Sequence, residues 1–179
     1  MKRRGKNTPP LPVYARVDLT TGGVERFPIS EKYFKKYVGG KCLAARLLLD
    51  LTPPGLDPLS PEAVIIINTG PLNGTGAPST SRFNLSFKNV LTGGIASSNC
   101  GGQFGVMLKR AGFDGLIITG RAAEPSLLEI LDGEIALKPA PELWGLDAEK
   151  TQEALPEWYG KLVIGPAGEN RVLYASSIS

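Results

Sequence analysis

The sequence predicts an α+β fold with mixed β-sheets and a few short helices, and three observations carry that expectation. Short runs rich in β-branched residues recur along the chain, as at residues 63–68 (AVIIIN) and 116–119 (LIIT). Runs that short and that continuously apolar read as buried strands. Asp132-Gly133 stands between two apolar runs, 127–131 and 134–138. That dipeptide is the strongest short-range signal for a tight hairpin, since both of its residues tolerate positive φ. About four helical segments are interspersed among the strands without regular alternation, which favours hairpin-rich mixed sheets over strict βαβ winding.

Taken in order, residues 13–18 form a strand, Thr20-Thr21-Gly22-Gly23 turns, and residues 24–29 return as its hairpin partner. Ser30 is placed to cap a helix over 31–38, with Gly39 as its stop. A second helix follows to Leu51, with Leu43, Leu47 and Leu51 at four-residue steps on one face, and Pro53-Pro54-Gly55 ends it. The strand at 63–68 empties into a glycine-rich loop, 70–78. Residues 81–87 then alternate, with Arg82, Asn84 and Ser86 against Phe83, Leu85 and Phe87. Period two puts the polar set on one face of a strand and the apolar set on the other. A strand at 95–98 empties into a second loop, 99–102, and a helix begins near Gln103 with Gly112 at its end. Asp147 is a candidate cap for a helix through Leu155. Trp144 and Trp158 flank it as expected core or rim anchors. Residues 161–164 and 172–176 are expected as the last strands, joined by GPAGEN.

Composition narrows the function classes. A chain of 179 residues, 42% hydrophobic and 21% charged, is long enough to bury a real core. Its net charge of +3 is too small to argue for nucleic acid. Much of that charge sits in Lys2, Arg3, Arg4 and Lys6. With Pro9, Pro10 and Pro12 following and no apolar stretch between, residues 1–12 read as a disordered basic leader and not as a secretory signal. No run is long and apolar enough to span a membrane. The two cysteines, Cys42 and Cys100, belong to no C-x-x-C pair, so this chain holds no four-cysteine iron–sulfur or zinc site. So few cysteines also suit a reducing cytoplasm. With no histidine, Ser-His-Asp and Cys-His mechanisms are closed to these residues.

The glycine-rich stretch from Thr69 to Gly105 holds the candidate chemistry. Glycine at that density is costly in backbone entropy, which suggests close approach or positive φ. The first loop lacks the Gly-Lys-Ser/Thr of a P-loop, and no helix follows it as a dinucleotide fingerprint would require. In the second, Ser98-Asn99-Cys100-Gly101-Gly102-Gln103, a strand ends and a helix begins. A phosphate suits such a turn, and an Asn99 carbonyl suits a hard cation such as Mg²⁺. An ordinary βα turn explains the same residues, and Arg82 reads equally as an anion seat or as a solvated charge. Asp114, Glu129, Glu134 and Glu169 are scattered and read as surface carboxylates.

The runs PLSPEAVIIINTGPLNGTGAPSTSRFN and SNCGGQFGVMLKRAGFDGLIITGRAAEP, followed by LWG and IGPAGEN, closely resemble the N-terminal domain of the aldehyde ferredoxin oxidoreductases. The resemblance runs from about Tyr14 to the C-terminus. It implies a base domain over 13–179, two packed β-sheets on which paired pyranopterins carry tungsten, or molybdenum in some relatives. By resemblance Arg82 lies between pterin and a [4Fe–4S] cluster, the Asn99 carbonyl reaches Mg²⁺ between the two pterin phosphates, and Gly101 makes a backbone contact to pterin. Arginine suits such a bridge because its fork of donors stays charged.

The cluster cysteines, the catalytic groups and a further Arg/Gly-rich segment of that family have no counterpart here, so relative to the family the chain reads as C-terminally incomplete. No catalytic residue is expected in it, and alone it should do no redox chemistry. Its expected partners are the remaining helical domains or a separate subunit, with ferredoxin accepting electrons as the complete enzyme oxidises an aldehyde to a carboxylic acid. Two other readings stand beside this one: a standalone scaffold or cofactor carrier, and part of a catalytic subunit of the benzoyl-CoA reductase type. The sheet face carrying Arg82 and Asn84 is expected to be open, inviting self-association into a homo-oligomer.

Overall fold

Val13–Asp18 (β1) and Gly23–Pro28 (β2) pair as an antiparallel hairpin around Gly22, whose φ of +70° only glycine takes freely. The computed structural model describes residues 10–179, so the first nine residues of the expected leader lie outside it. The remaining strands of the main sheet are Ile65–Thr69 (β3), Phe83–Lys88 (β4), Ile95–Cys100 (β5) and Gly115–Thr119 (β6). Together the six form one mixed sheet in the order β2-β1-β6-β3-β4-β5, with β1 and β6 parallel and every other neighbour antiparallel. β6 joins the N-terminal hairpin to the β3-β4-β5 meander. A second sheet is the hairpin Ser126–Leu131 (β7) and Glu134–Pro139 (β8), turned by Asp132 and Gly133 at φ of +49° and +84°. The fold is α+β, as predicted.

Helices cover the main sheet on both faces. Glu31–Tyr37 (α1) starts where Ser30 Oγ accepts the Tyr33 N–H at 3.2 Å. Gly40–Leu51 (α2) lies over β3 and β4 and drives Leu43, Ala44, Leu47 and Leu48 onto Tyr14, Ile66 and Ile117. Each leucine buried there contributes roughly 1.5–3 kcal/mol. On the opposite face Phe104–Arg110 (α3) and the β7–β8 hairpin bury Leu108, Phe113, Ile130 and Ile135 against Ala15, Ile67, Phe83 and Leu116. Ala148–Ala154 (α4) is capped by Asp147, whose Oδ1 accepts the Lys150 N–H at 2.8 Å.

Several local expectations are corrected. The left-handed residue after α1 is Val38, at φ +64°, and not Gly39. Gly39 is extended and serves close approach instead, since a Cβ there would lie 3.2 Å from the Thr69 carbonyl oxygen and 3.3 Å from Pro71 Cδ. β5 runs on to Cys100, so Asn99 is a strand residue and not a loop residue. The final strands are reduced to one bridge, Val163 with Ile178, because Pro166–Glu169 (α5) occupies the connecting segment. Trp144 and Trp158 are largely exposed, at 55% and 70%. Glu129 pairs with Lys138 and accepts from Tyr159 at 3.1 Å, and Glu169 caps the Gly145 N–H at 2.9 Å. Asp114 accepts the Val13 N–H at 2.8 Å and pairs with Lys109 at 2.6 Å, clasping the start of β1 to α3.

Candidate functional site

Arg82, Asn99 and Gly101 are brought to one end of the β4–β5 hairpin. The register pairs Phe83 with Cys100 and Asn84 with Asn99, so one step further along the ladder Arg82 stands opposite Gly101. The direction of the Asn99 backbone follows from the other end. Asn89 donates its N–H to the Gly94 carbonyl at 2.7 Å, which makes that pair hydrogen-bonded. Antiparallel ladders alternate bonded and non-bonded pairs. Counting from 89/94 through the unbroken register, 85/98 is bonded and 84/99 is not. The N–H and C=O of Asn99 therefore point away from β4. Among the described residues β5 is an edge of the sheet, so both groups are free of any strand partner there.

The surroundings suit an anion held with a hard cation. Arg82 is exposed and, among the described residues, pairs with no carboxylate. From Ala63 to Phe113 the chain has no Asp or Glu at all, while Arg82, Lys88, Lys109 and Arg110 all fall within it. That long acid-free stretch was readable in the sequence and is the signal that points most directly to an anionic ligand. A Cβ at Gly101 would meet nothing within 4 Å, leaving backbone approachable from outside. Cys100 Sγ lies 3.2 Å from Ser179 Oγ. The described residues contain no cluster of three His, Cys, Asp or Glu side chains able to hold a metal.

Two buried asparagines underlie this surface. Asn73, 1% exposed in the first glycine loop, donates from Nδ2 to the Arg82 carbonyl at 3.1 Å and ties that loop to the start of β4. Among the described residues its Oδ1 has no partner. Asn84 is 2% exposed and Ser86 wholly buried, because α2 covers their face of the sheet. This corrects the expectation of an open polar face. The alternation is real, but its polar side is roofed, and only Arg82, ahead of the strand, stays in solvent. Further along the same row, Tyr14 Oη accepts from Asn68 Nδ2 at 2.8 Å, reaching over Gly115. Burial raises the Tyr14 pKa well above the ordinary tyrosine value, against the lowering effect of its Asn68 bond.

The two loops divide the expected roles unevenly. A depression of about 250 Å³ beside the first loop is lined by Gly74, Gly76, Ser79 and Arg110, so Arg110 and not Arg82 is its cation. After the second loop, α3 has only seven residues, and its first turn packs on the sheet, with the Phe104 and Phe83 ring centroids 4.9 Å apart. The free β5 edge, more than the helix start, presents the backbone groups.

The family model for the aldehyde ferredoxin oxidoreductase N-terminal domain matches residues 14–179. The chain belongs to that family. Within it, the tungsten-containing aldehyde ferredoxin oxidoreductase of Pyrococcus furiosus is 40% identical over 91% of this chain and 28% of its own length. The WOR-like subunit of the aliphatic sulfonate oxidoreductase from the same organism is 30% identical over 89% of this chain and 28% of its own. In structure, the active-site complex BamBC of benzoyl coenzyme A reductase superposes with a TM-score of 0.87 at 35% identity, over 93% of this chain and 26% of that one. The chain thus spans about 28% of the length of the curated aldehyde ferredoxin oxidoreductases it matches. Its relatives in this family are oxidoreductases. No helix among the described residues is long and apolar enough to cross a membrane.

Proposed function

We propose that this chain is the base domain that seats a tungsten (or molybdenum) bis-pyranopterin in a larger cytoplasmic oxidoreductase, one that oxidises aldehydes to carboxylic acids and passes the electrons to ferredoxin. The observation that carries the proposal is the placement of Arg82, Gly101 and Asn99 at one end of the β4–β5 hairpin in an acid-free stretch, with the Asn99 carbonyl turned to the free edge. Arg82 supplies a permanent cation with donors in a plane, matched to a pterin or phosphate edge. The Asn99 carbonyl offers a neutral oxygen to Mg²⁺, and hard cations take such oxygens. Gly101 leaves its backbone approachable. When bound, the metal–pterin group supplies the two-electron chemistry, and this chain supplies placement and charge. The [4Fe–4S] cluster and the substrate contacts fall to domains beyond these residues. The similarity to the benzoyl coenzyme A reductase complex supports a second reading of the substrate, an aromatic thioester, on the same cofactor base.

The test is elemental. The complete protein should carry tungsten, magnesium and pterin phosphorus together after gel filtration, and Arg82→Ala should lower all three in parallel. Complete protein that carries no pterin phosphorus would overturn the assignment. Product analysis with aldehydes and with aromatic acyl-CoA thioesters separates the two substrate readings.

A further inference from the structure

We infer that Asn84 is a positioning residue for the cation-binding edge, acting through Asn99 from beneath the sheet. The inference rests on the cofactor assignment above and names a side chain that ties the edge strand to β4 beside Asn99. Asn84 Nδ2 lies 2.7 Å from Ser97 Oγ, 3.0 Å from the Ser98 carbonyl oxygen and 3.2 Å from Asn99 Oδ1. One amide nitrogen thus gathers three successive residues of β5, two hydrogens shared among three acceptors. The amide is not free to turn over. The Ser98 carbonyl can only accept, which commits the nitrogen to β5 and leaves Oδ1 to accept from Ser86 Oγ at 2.6 Å.

Position in the ladder explains why the contact matters. The pair 84/99 is a non-bonded one, so no backbone bond joins Asn99 to β4 at that step. Among the described residues β5 is an edge strand with no neighbour beyond it. Asn99 lies between two bonded pairs, 85/98 and 83/100, and the Asn84 amide adds a side-chain tether at the one step between them where the ladder has none. α2 roofs the site from above and keeps water from competing for the amide, since Asn84 is 2% exposed and Ser86 fully buried. The Asn99 side chain is thereby turned inward as an anchor while its carbonyl is turned outward as a ligand. Groups one step behind metal ligands commonly change metal affinity by about 10–100-fold when removed.

The experiment follows magnesium loss from the complete, cofactor-loaded protein into excess EDTA, with bound magnesium read by mass spectrometry. Asn84→Leu keeps the volume and removes the amide. Asn99→Ala keeps the outward carbonyl and removes the anchored oxygen. Each should lose magnesium about tenfold faster or more, and the double variant should be no faster than either alone. Leu43→Ala, which weakens the same covered face by packing only, should lose it at the wild-type rate. If Asn84→Leu does not fold, Asn99→Ala decides alone. Wild-type release rates in both variants, or equal acceleration in Leu43→Ala, would overturn the positioning role while leaving the cofactor assignment standing. Wild-type protein without magnesium would overturn both.

Discussion

The face of the main sheet beneath α2 has two halves built on different principles. Toward β1 and β6 the helix meets Tyr14, Ile66 and Ile117 with Leu43 and Leu47, a close-packed apolar layer. Toward β4 and β5 it meets Asn84 and Ser86, joined to Ser97 and Asn99 by hydrogen bonds. The apolar half gains stability from area removed from water, without regard to direction. The polar half gains much less, since each net hydrogen bond contributes only about 0.5–1.5 kcal/mol. What it adds is a single permitted arrangement, because a buried amide left unpaired is costly. Stability is thus concentrated where there is no site, and directionality where the site is.

Substitutions separate the halves by size of effect. Leu43→Ala empties a fully buried position and should lower stability by about 3 kcal/mol in urea melts of the chain. A loss near 1 kcal/mol would mean that the apolar half is not the main support. Asn73→Ala strands the Arg82 carbonyl and should cost about 2 kcal/mol. Its sharper readout is faster hydrogen exchange at Arg82 and Phe83 without change in β1. Tyr14, the polar tip of the apolar half, makes stability pH-dependent. Its pKa is raised in the folded state, so the unfolded chain releases that proton first. Its contribution is complete below about pH 10, the unfolded value, and is lost as pH rises beyond it. Melts between pH 9 and 11 should therefore decline more steeply in wild type than in Tyr14→Phe. Val38→Gly relieves a β-branched residue at positive φ and should raise stability by about 1 kcal/mol, read as a higher urea midpoint. Arg82→Ala should change stability by less than about 0.5 kcal/mol, as expected for an exposed side chain without an acidic partner. A loss near 3 kcal/mol would make Arg82 part of the scaffold and blur the division altogether.

Much of the fold was legible because local chemistry is decisive at element ends. Ser30 and Asp147 cap their helices as their hydroxyl and carboxylate oxygens allow, and Asp132-Gly133 turns its hairpin. The alternation in β4 was legible too, but periodicity states only which side chains share a face. It does not state which face is covered. Asn84 and Ser86 looked like solvent residues because their burial depends on partners in β5 and a roof from α2 that no local pattern shows. The positive φ of Val38 was hidden for the same reason, since the glycine beside it was needed for the approach to Thr69 and Pro71. Of the site, the residue types were legible, but not the outward carbonyl of Asn99, which depends on ladder parity counted from Asn89 and Gly94.

The place of β6 bears on the order of assembly. Tyr14 pairs with Gly115 across about a hundred residues of chain, and β6 is the strand shared by the N-terminal hairpin and the β3-β4-β5 meander. As the polypeptide emerges during synthesis, the hairpin and the meander are both complete before their common neighbour exists. Pairing so distant in sequence is slow to close, because loop entropy must be overcome before any contact rewards it. Until residue 119 has emerged, the inner edges of both pieces stay unpaired, and edges in that state invite wrong partners. Gly115 sharpens the demand on this last step. A methyl group there would lie 2.4 Å from the Tyr14 ring, so the closing strand fits beneath that ring only with glycine at this position. The central strand is the keystone, and the arch on either side stands waiting for it.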